Sequence, residues 1–379
     1  MVLFGNVSAM AAAQPMPSAK AVWQMQDSGT TAGLRGIHSV DGTVAWASGT
    51  GGTILKTTDG GEHWQKCATP DAATDGATLD FRGVQAWGAE TAIVMASGPG
   101  EKSRLYKTSD GCATWTLMLK NPNSPEGFFD SIYFPKMQSS RREHEGFGLL
   151  LGDPTGGRLA IFETRDGGDS WSRISSEVLD ALGTDPAAFA GSNSCIAGFG
   201  GSTFDLVVGG KAGNHLLRLD YKGTWWTNDG STLTRTWRNA PLPLTHVGES
   251  SGPFSIAERV VFPDKRQEVR LQDLRLQEVV VGGDYSKPNE IAGTAAWSDG
   301  NGWVASNKPP HGYRSAVQWS GPLKLWITAG TNGSDISRDD GRTWQPLDNG
   351  NWNALSLPFI VGPSGRIARL NPAVLPAAK

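Results

Sequence analysis

The sequence is poor in cysteine, histidine and tyrosine, and it has no long apolar run. Its three cysteines (Cys67, Cys112 and Cys195) show no CxxC or Cys/His ligand spacing, and an odd count excludes a complete disulfide framework. One bridge stays open between Cys67 and Cys112, which fall near equivalent ends of two similar segments. The six histidines (His38, His63, His144, His215, His246 and His311) are scattered without ligand spacing, so no metal site is expected. No stretch of 18 apolar residues occurs, so no membrane-spanning helix is expected. Basic residues are not in excess: 34 Lys and Arg stand against 37 Asp and Glu, for a net charge of −3. That excludes the basic footprint of a nucleic-acid binder, and the longest basic cluster, Arg141 and Arg142, is interrupted by Glu143 and Glu145. There is no GxGxxG after a strand, no GxSxG and no EF-hand loop, so no cofactor is expected.

What is abundant is glycine (49) and tryptophan (15) in 379 residues. Many turns and many large flat side chains suit short strands packed sheet on sheet. One stretch recurs: KTTDGGEHW at Lys56, KTSDGCATW at Lys107, ETRDGGDSW at Glu163 and SRDDGRTW at Ser337. In each, Trp follows Asp by five positions: Asp59/Trp64, Asp110/Trp115, Asp166/Trp171 and Asp339/Trp344. Degenerate copies pair Asp229 with Trp237 and Asp299 with Trp303. Each box lies between strand-like runs and reads as a hairpin turn. The Asp carboxylate accepts backbone N–H bonds, Gly supplies positive φ, and Trp buries a face on the neighbouring sheet. A motif repeated at such intervals is architecture, and the chemistry lies elsewhere.

Two further strand-like runs precede each box, such as LRGIHSV and TVAWASG, or FRGVQAW and TAIVMASG. Four strands per unit at this period predict an all-β, seven-bladed β-propeller of four-stranded antiparallel blades. The blades fall at about 30–70, 78–120, 126–178, 186–242, 250–307, 310–348 and 350–370 plus 20–29. The last unit has three strands of its own, and AVWQMQDSG near the N-terminus closes the ring and removes its edges. A β-sandwich or solenoid is the competing architecture. Residues 1–19 read as a tail or remnant export signal, 20–370 as a single propeller and 371–379 as a C-terminal tail. The start, MVLFGNVSAMAAAQP, has an apolar segment and a cleavage-like end but no positive n-region; an exported (periplasmic or extracellular), monomeric protein is expected.

The boxes match the Asp-box (BNR) repeat of the sialidase-like propellers. LRGIHSVDGTVAWASGTGGTILKTTDGGEHW is closer still to the photosystem II stability/assembly-factor type. GDPTGGRLAIFETRDGG, VVVGGDY, GYRSAV and GRIARL resemble a bacterial branch of that group, loosely labelled oxidoreductase. The resemblance covers residues 20–370 and implies the seven-bladed fold. It implies no single activity, because the fold hosts glycosidases, polysaccharide lyases and non-enzymatic assembly factors.

In such a ring the starts of the inner strands and the loops joining second to third strands share one face, opposite the boxes. Read in order, those positions hold Arg35, Arg82, Asp130, Ser192 and Asn193, Glu249 and Ser251, and Tyr313 and Arg314; the loops add Asp153, Asp284 and Tyr285. Three arginines (Arg35, Arg82 and Arg314) aimed at one mouth would make an anion site, since guanidinium binds carboxylate in a fork. Two functions follow. The first is a sialidase-like carbohydrate-active enzyme, a glycoside hydrolase or lyase. There the arginines, with Ser192, Asn193, Glu249 and Ser251, bind an anionic or uronate-like saccharide. Asp130, Asp153 or Asp284 act as acid/base and Tyr285 or Tyr313 as nucleophile or orienting group. The second is a non-catalytic, assembly-factor-like propeller whose arginine face captures an acidic peptide or a C-terminal carboxylate.

Overall fold

The computed structural model describes residues 21–135, 146–175, 186–199, 201–211, 213–222, 234–261 and 275–376. Its strands form seven antiparallel sheets arranged as the blades of a β-propeller; helix among the described residues is limited to single 3-10 turns. Six sheets follow chain order. The seventh takes its outer strand from the other end of the chain: Trp23–Gln26 pairs antiparallel with Ile367–Leu370, Trp23 opposite Leu370. Its Trp23 is buried, and the indole N–H donates to Ser334 Oγ of blade 6 (2.9 Å).

The second strands carry the core. Ala45–Gly49, Ala92–Ala96 and Leu325–Gly330 are buried at every position, because a neighbouring blade covers each of their faces. The Asp–Gly turns repeat one geometry. Thr57 Oγ1 donates to Asp59 Oδ1 (2.8 Å), and His63 N donates to the same oxygen (3.0 Å). Asp110, Asp166 and Asp339 make the same pair of contacts, with Thr108 and Thr114, Thr164 and Ser170, and Ser337 and Thr343. The two residues after each Asp are left-handed, so Cys112 (φ 76) and Asp340 (φ 59) stand where a glycine is the usual choice. In the degenerate copy at Asp299 the carboxylate reaches only to Asn301, while Asp229 lies outside the described residues.

Cations tie three of these turns to the preceding blade through a glycine carbonyl. Lys56 Nζ donates to Gly111 O (2.9 Å), Lys107 Nζ to Gly167 O (2.9 Å) and Arg369 Nη1 to Gly60 O (2.6 Å). The third contact crosses the closure, so the ring joins its ends with the device it uses elsewhere. The seam between blades 1 and 2 also carries a disulfide from Cys67 to Cys112, Cα–Cα 5.4 Å, so the bridge left open by the sequence exists. Blade 4 departs from the expected pattern. Its inner edge is split into Pro186–Ala187 and Ile196–Phe199, both paired with Thr203–Gly210. Beyond Leu370 the chain makes a turn at Pro372–Val374, and Leu375 packs back on the core of blades 6 and 7.

Candidate functional site

The mouth of the channel is set by one recurring irregularity. The inner strands of blades 1, 2, 3 and 5 each slip register at one residue, leaving Arg35, Arg82, Asp130 and Phe254 as the extra, unpaired positions. A bulge of this kind re-aims its side chain out of the pleat. The same offset is held by Asn193 in blade 4, Arg314 in blade 6 and Asn353 in blade 7. A small residue follows in every case (Gly36, Gly83, Ser131, Ser194, Ser255, Ser315 and Ala354), because the strands crowd at the axis. A Cβ on Gly83 would lie 2.7 Å from Asn193 Oδ1, and one on Gly36 2.5 Å from Ser48 Oγ.

Arg35 and Arg82 are half-buried and share one carboxylate, Asp80. Arg82 Nε donates to Asp80 Oδ2 (2.8 Å), and Arg35 Nε lies 3.2 Å from the same oxygen. The terminal nitrogens of both guanidinium groups have no protein partner among the described residues. Two cations against one acid leave a net positive charge with two unspent forks. Burial lowers the Arg35 pKa, Asp80 opposes that, and Arg82 adds to it. Arg82 also lies over the ring of Phe128, 5.4 Å from its centroid.

Asp130 is buried beside this pair, and its Oδ2 has no hydrogen-bond partner among the described residues. Burial and neighbouring Asp153 push its carboxyl well above the usual range, with Arg82 opposing. Asp153 accepts from Ala188 N (3.4 Å), and burial pushes it up to about 6. Tyr313 and Arg35 are electrostatic neighbours. The Tyr313 ring meets Phe254 edge-on at 4.8 Å; Phe254 stacks on Phe189 at 4.3 Å and meets Tyr285 at 6.2 Å. One half of the mouth is therefore basic and the other aromatic.

The other sequence-predicted residues are placed differently. Arg314 is fully buried. It donates to Asp335 Oδ2 from Nε (2.7 Å) and Nη2, and to Tyr313 O and Asn332 Oδ1 from Nη1, so it offers no fork to a ligand. The expected arginine triad is a pair. Ser192 donates to Ser315 O, and Asn193 Oδ1 accepts from Ile132 N (2.8 Å); both brace the channel waist in the gap of the split strand. Glu249 sits exposed on the rim, paired with Lys211 (2.9 Å), and Ser251 is buried below it. Neither holds the blade 5 ring position, which belongs to Phe254. Asp284 accepts from Ser286 N (2.9 Å) and Oγ (2.7 Å) in its own turn, and its pKa is lowered despite some burial. It cannot serve as the protonated acid expected of it. Tyr313 is pushed far up by burial, the opposite of an activated nucleophile. Residues 136–145, which carry Arg141 and Arg142, fall outside the described residues, and Gly146, which follows them, accepts from Gly167 N in the turn of blade 3. A cavity of about 350 Å³ lined by Thr155, Arg158 and Arg173 lies at the outer part of blade 3 and holds none of the residues singled out above.

Sequence reasoning missed Asp80, Phe128, Phe189 and Phe254. Asp80 was readable: it precedes Arg82 by two residues, and positions two apart on an extended chain share a face. Elsewhere, Asp205, Glu258 and Glu278 bring three carboxylates within 4.8 Å between blades 4 and 5. The place of a cation there is taken by Arg218, which donates to Asp205 (2.7 Å from Nε) and Glu278 (2.6 Å).

No family model matches the chain. A curated relative, the photosystem II assembly lipoprotein Ycf48 of Synechococcus sp. (strain CC9902), is 22% identical over 268 residues, 65% of this chain and 74% of that protein. Two solved structures share the fold: YCF48 bound to D1 peptide (TM-score 0.56, 18% identity, covering 93% of this chain and 96% of the other) and YCF48 from Cyanidioschyzon merolae (TM-score 0.57, 17% identity, 93% and 100%). These relatives are named as an assembly protein and, in one case, as a peptide complex, which overturns the sialidase-like reading in favour of the non-catalytic one. The chain is a seven-bladed β-propeller resembling the photosystem II assembly factor Ycf48.

Proposed function

We propose that this propeller is a non-catalytic, assembly-factor-like binding protein that captures a peptide through a carboxylate at the channel mouth. The observation that carries the reading is the pair Arg35 and Arg82, half-exposed, sharing the single acid Asp80 and keeping their terminal nitrogens unspent. A planar guanidinium fork matches a carboxylate with two charge-assisted hydrogen bonds. Burial raises the carboxyls of both Asp130 and Asp153, the latter to about 6, which lessens the negative charge they set against the pair at mildly acidic pH. The peptide seen on a structural neighbour supports a ligand of the same kind here. Export is part of this proposal, since a bridge such as Cys67–Cys112 persists in oxidising compartments.

The test is binding of fluorescent peptides with acidic or free C-terminal ends to the wild type and to Arg35→Ala/Arg82→Ala. Affinity should fall by roughly 10–100-fold in the double variant, as two charge-assisted contacts are lost. Arg35→Lys/Arg82→Lys should recover only part of it, because Lys cannot fork. Equal binding by wild type and the alanine variant would sink the proposal.

A further inference from the structure

The two arginines of the mouth stand on different blades, and the seam between those blades is built unlike the others. Arg35 belongs to the inner strand of blade 1 and Arg82 to that of blade 2, so two like charges meet across one blade boundary. Arg82 disfavours the charge on Arg35, and Asp80 is the acid they share. Elsewhere in the ring, side-chain hydrogen bonds lace the inner strands across the seams. Ile132 N donates to Asn193 Oδ1 between blades 3 and 4 (2.8 Å). Ser255 Oγ accepts from Ser194 Oγ of blade 4 (2.7 Å) and from Val317 N of blade 6 (2.9 Å). Asn353 O accepts from Ser315 Oγ (2.7 Å) and Asn353 Nδ2 donates to Leu34 O (2.7 Å), which ties blade 7 to blades 6 and 1. Between blades 1 and 2 the small residues are Gly36 and Gly83, which lend no side chain, and the tie beside the mouth is the Arg35–Asp80 ion pair.

That same seam carries the disulfide. Cys67 follows the outer strand of blade 1, and Cys112 lies in the Asp–Gly turn of blade 2. Cys112 is left-handed (φ 76), at a place where sister turns have Gly61 and Gly168. A side chain is disfavoured in that conformation, so the cysteine carries a local cost that its bridge offsets. Both residues are buried (6% and 3% exposed), which shields the sulfurs from a soluble thiol. Ala68 N donates to Cys112 O (3.3 Å) and Trp115 Nε1 to Ala68 O (2.9 Å) alongside the bridge. Trp46 Nε1 donates to Gly88 O (2.8 Å) and Lys56 Nζ to Gly111 O (2.9 Å); these join the second and third strands of blade 1 to loops of blade 2, not to its inner strand.

We infer that the Cys67–Cys112 bridge positions the anion site: it holds blades 1 and 2 together against the repulsion of Arg35 and Arg82, and so keeps both forks at the spacing of one carboxylate. The inference rests on the carboxylate-capture reading above and adds what keeps the pair in place. A preorganised pair binds without first being drawn together, whereas an unstapled seam would meet that cost at each encounter. Cys67 and Cys112 are positioning residues; they act through the seam and touch no ligand.

The experiment compares the full chain with Cys67→Ser/Cys112→Gly, which gives the turn of blade 2 the residue its sisters have. Circular dichroism checks that the variant is folded. Amide hydrogen exchange, read by mass spectrometry, follows the inner strands Leu34–Ser39 and Phe81–Ala86 against Ala316–Ser320 of blade 6. Fluorescence anisotropy follows a fluorescein-labelled decapeptide with acidic side chains and a free C-terminal carboxylate. Loss of the bridge should speed exchange in the first two strands by about tenfold or more, with the blade 6 strand changed by about twofold at most. It should weaken peptide binding by about 3–10-fold. Adding Arg82→Gln to the bridge-free chain removes the repulsion and should return the exchange of Leu34–Ser39 toward that of the parent. In the bridged chain Arg82→Gln alone should slow that exchange, and this arm decides if the bridge-free variant does not fold. Exchange that rises equally in all three strands, or that Arg82→Gln leaves unchanged, would overturn the inference, as would parent-like affinity in folded bridge-free protein. A parent that does not bind the peptide would overturn carboxylate capture and the positioning role with it, and exchange alone would then show whether the bridge holds the seam.

Discussion

Arg314 and Arg35 occupy the same offset in their blades and do opposite things. Arg314 is sealed in with Asp335, and removing it would leave that carboxylate buried beside His311 alone. Arg314→Ala should therefore cost about 3–5 kcal/mol of stability, against about 0.5 kcal/mol or less for half-exposed Arg35→Ala; urea denaturation of the two variants checks the contrast. The sequence displays both arginines alike, because Asp335 lies 21 residues downstream in the third strand and nothing local announces the pairing. The acids between blades 4 and 5 yield a pH prediction. Glu258, facing Asp205, Arg218 and Tyr133, is pushed up by burial to about 8 from an ordinary 4.5, and Glu278 is pushed up as well. The folded state then holds protons that the unfolded chain has lost, so stability falls as pH rises from about 4.5 through the folded values. The melting temperature should drop between pH 5 and 9, and Glu258→Gln/Glu278→Gln should flatten the drop. A parallel fall in parent and variant would mean that other groups set the pH dependence.

At the level of the element, the box turn was the most legible part of the chain, since Asp, Gly and Trp at fixed offsets each have one geometric job. The depth of the Trp was not legible, because it depends on the blade next door. Trp344 is 2% exposed and packs among Val279, Val281 and Ala295 of blade 5. Trp64 is only half-buried, with an edge contact to Phe359 at 5.6 Å and a hydrogen bond to Gln26 Oε1 (3.1 Å). Trp344→Ala should cost about 3–5 kcal/mol and Trp64→Ala clearly less, measured by chemical denaturation; the reverse order would mean that the contacts across blades 5 and 6 do not set stability. The inner-strand bulge was half legible. LRG and FRG advertise it, whereas in blade 5 the polar residues Glu249 and Ser251 drew attention from Phe254, an apolar residue at the equivalent offset.

For the molecule as a whole, ring closure and blade count were readable because the last unit visibly lacked a strand and the first segment visibly lacked a unit. The function was not readable to the same degree. Arg, Asp and Tyr at a channel mouth fit an enzyme and a binder equally until burial, pairing and relatives separate them. The Cys67–Cys112 bridge links neighbouring blades across 45 residues and restrains the unfolded chain accordingly. Cys67→Ser/Cys112→Ser should lose about 4 kcal/mol by loop-closure entropy, seen as a lower denaturation midpoint. The closing strand has a consequence in time. Trp23 emerges from the ribosome before its partner Leu370, which follows 347 residues later. At about 5–20 residues per second that interval is roughly 20–70 s. Throughout it, the strand Trp23–Gln26 has no mate, so the last blade is sealed only once Ile367–Leu370 has been made.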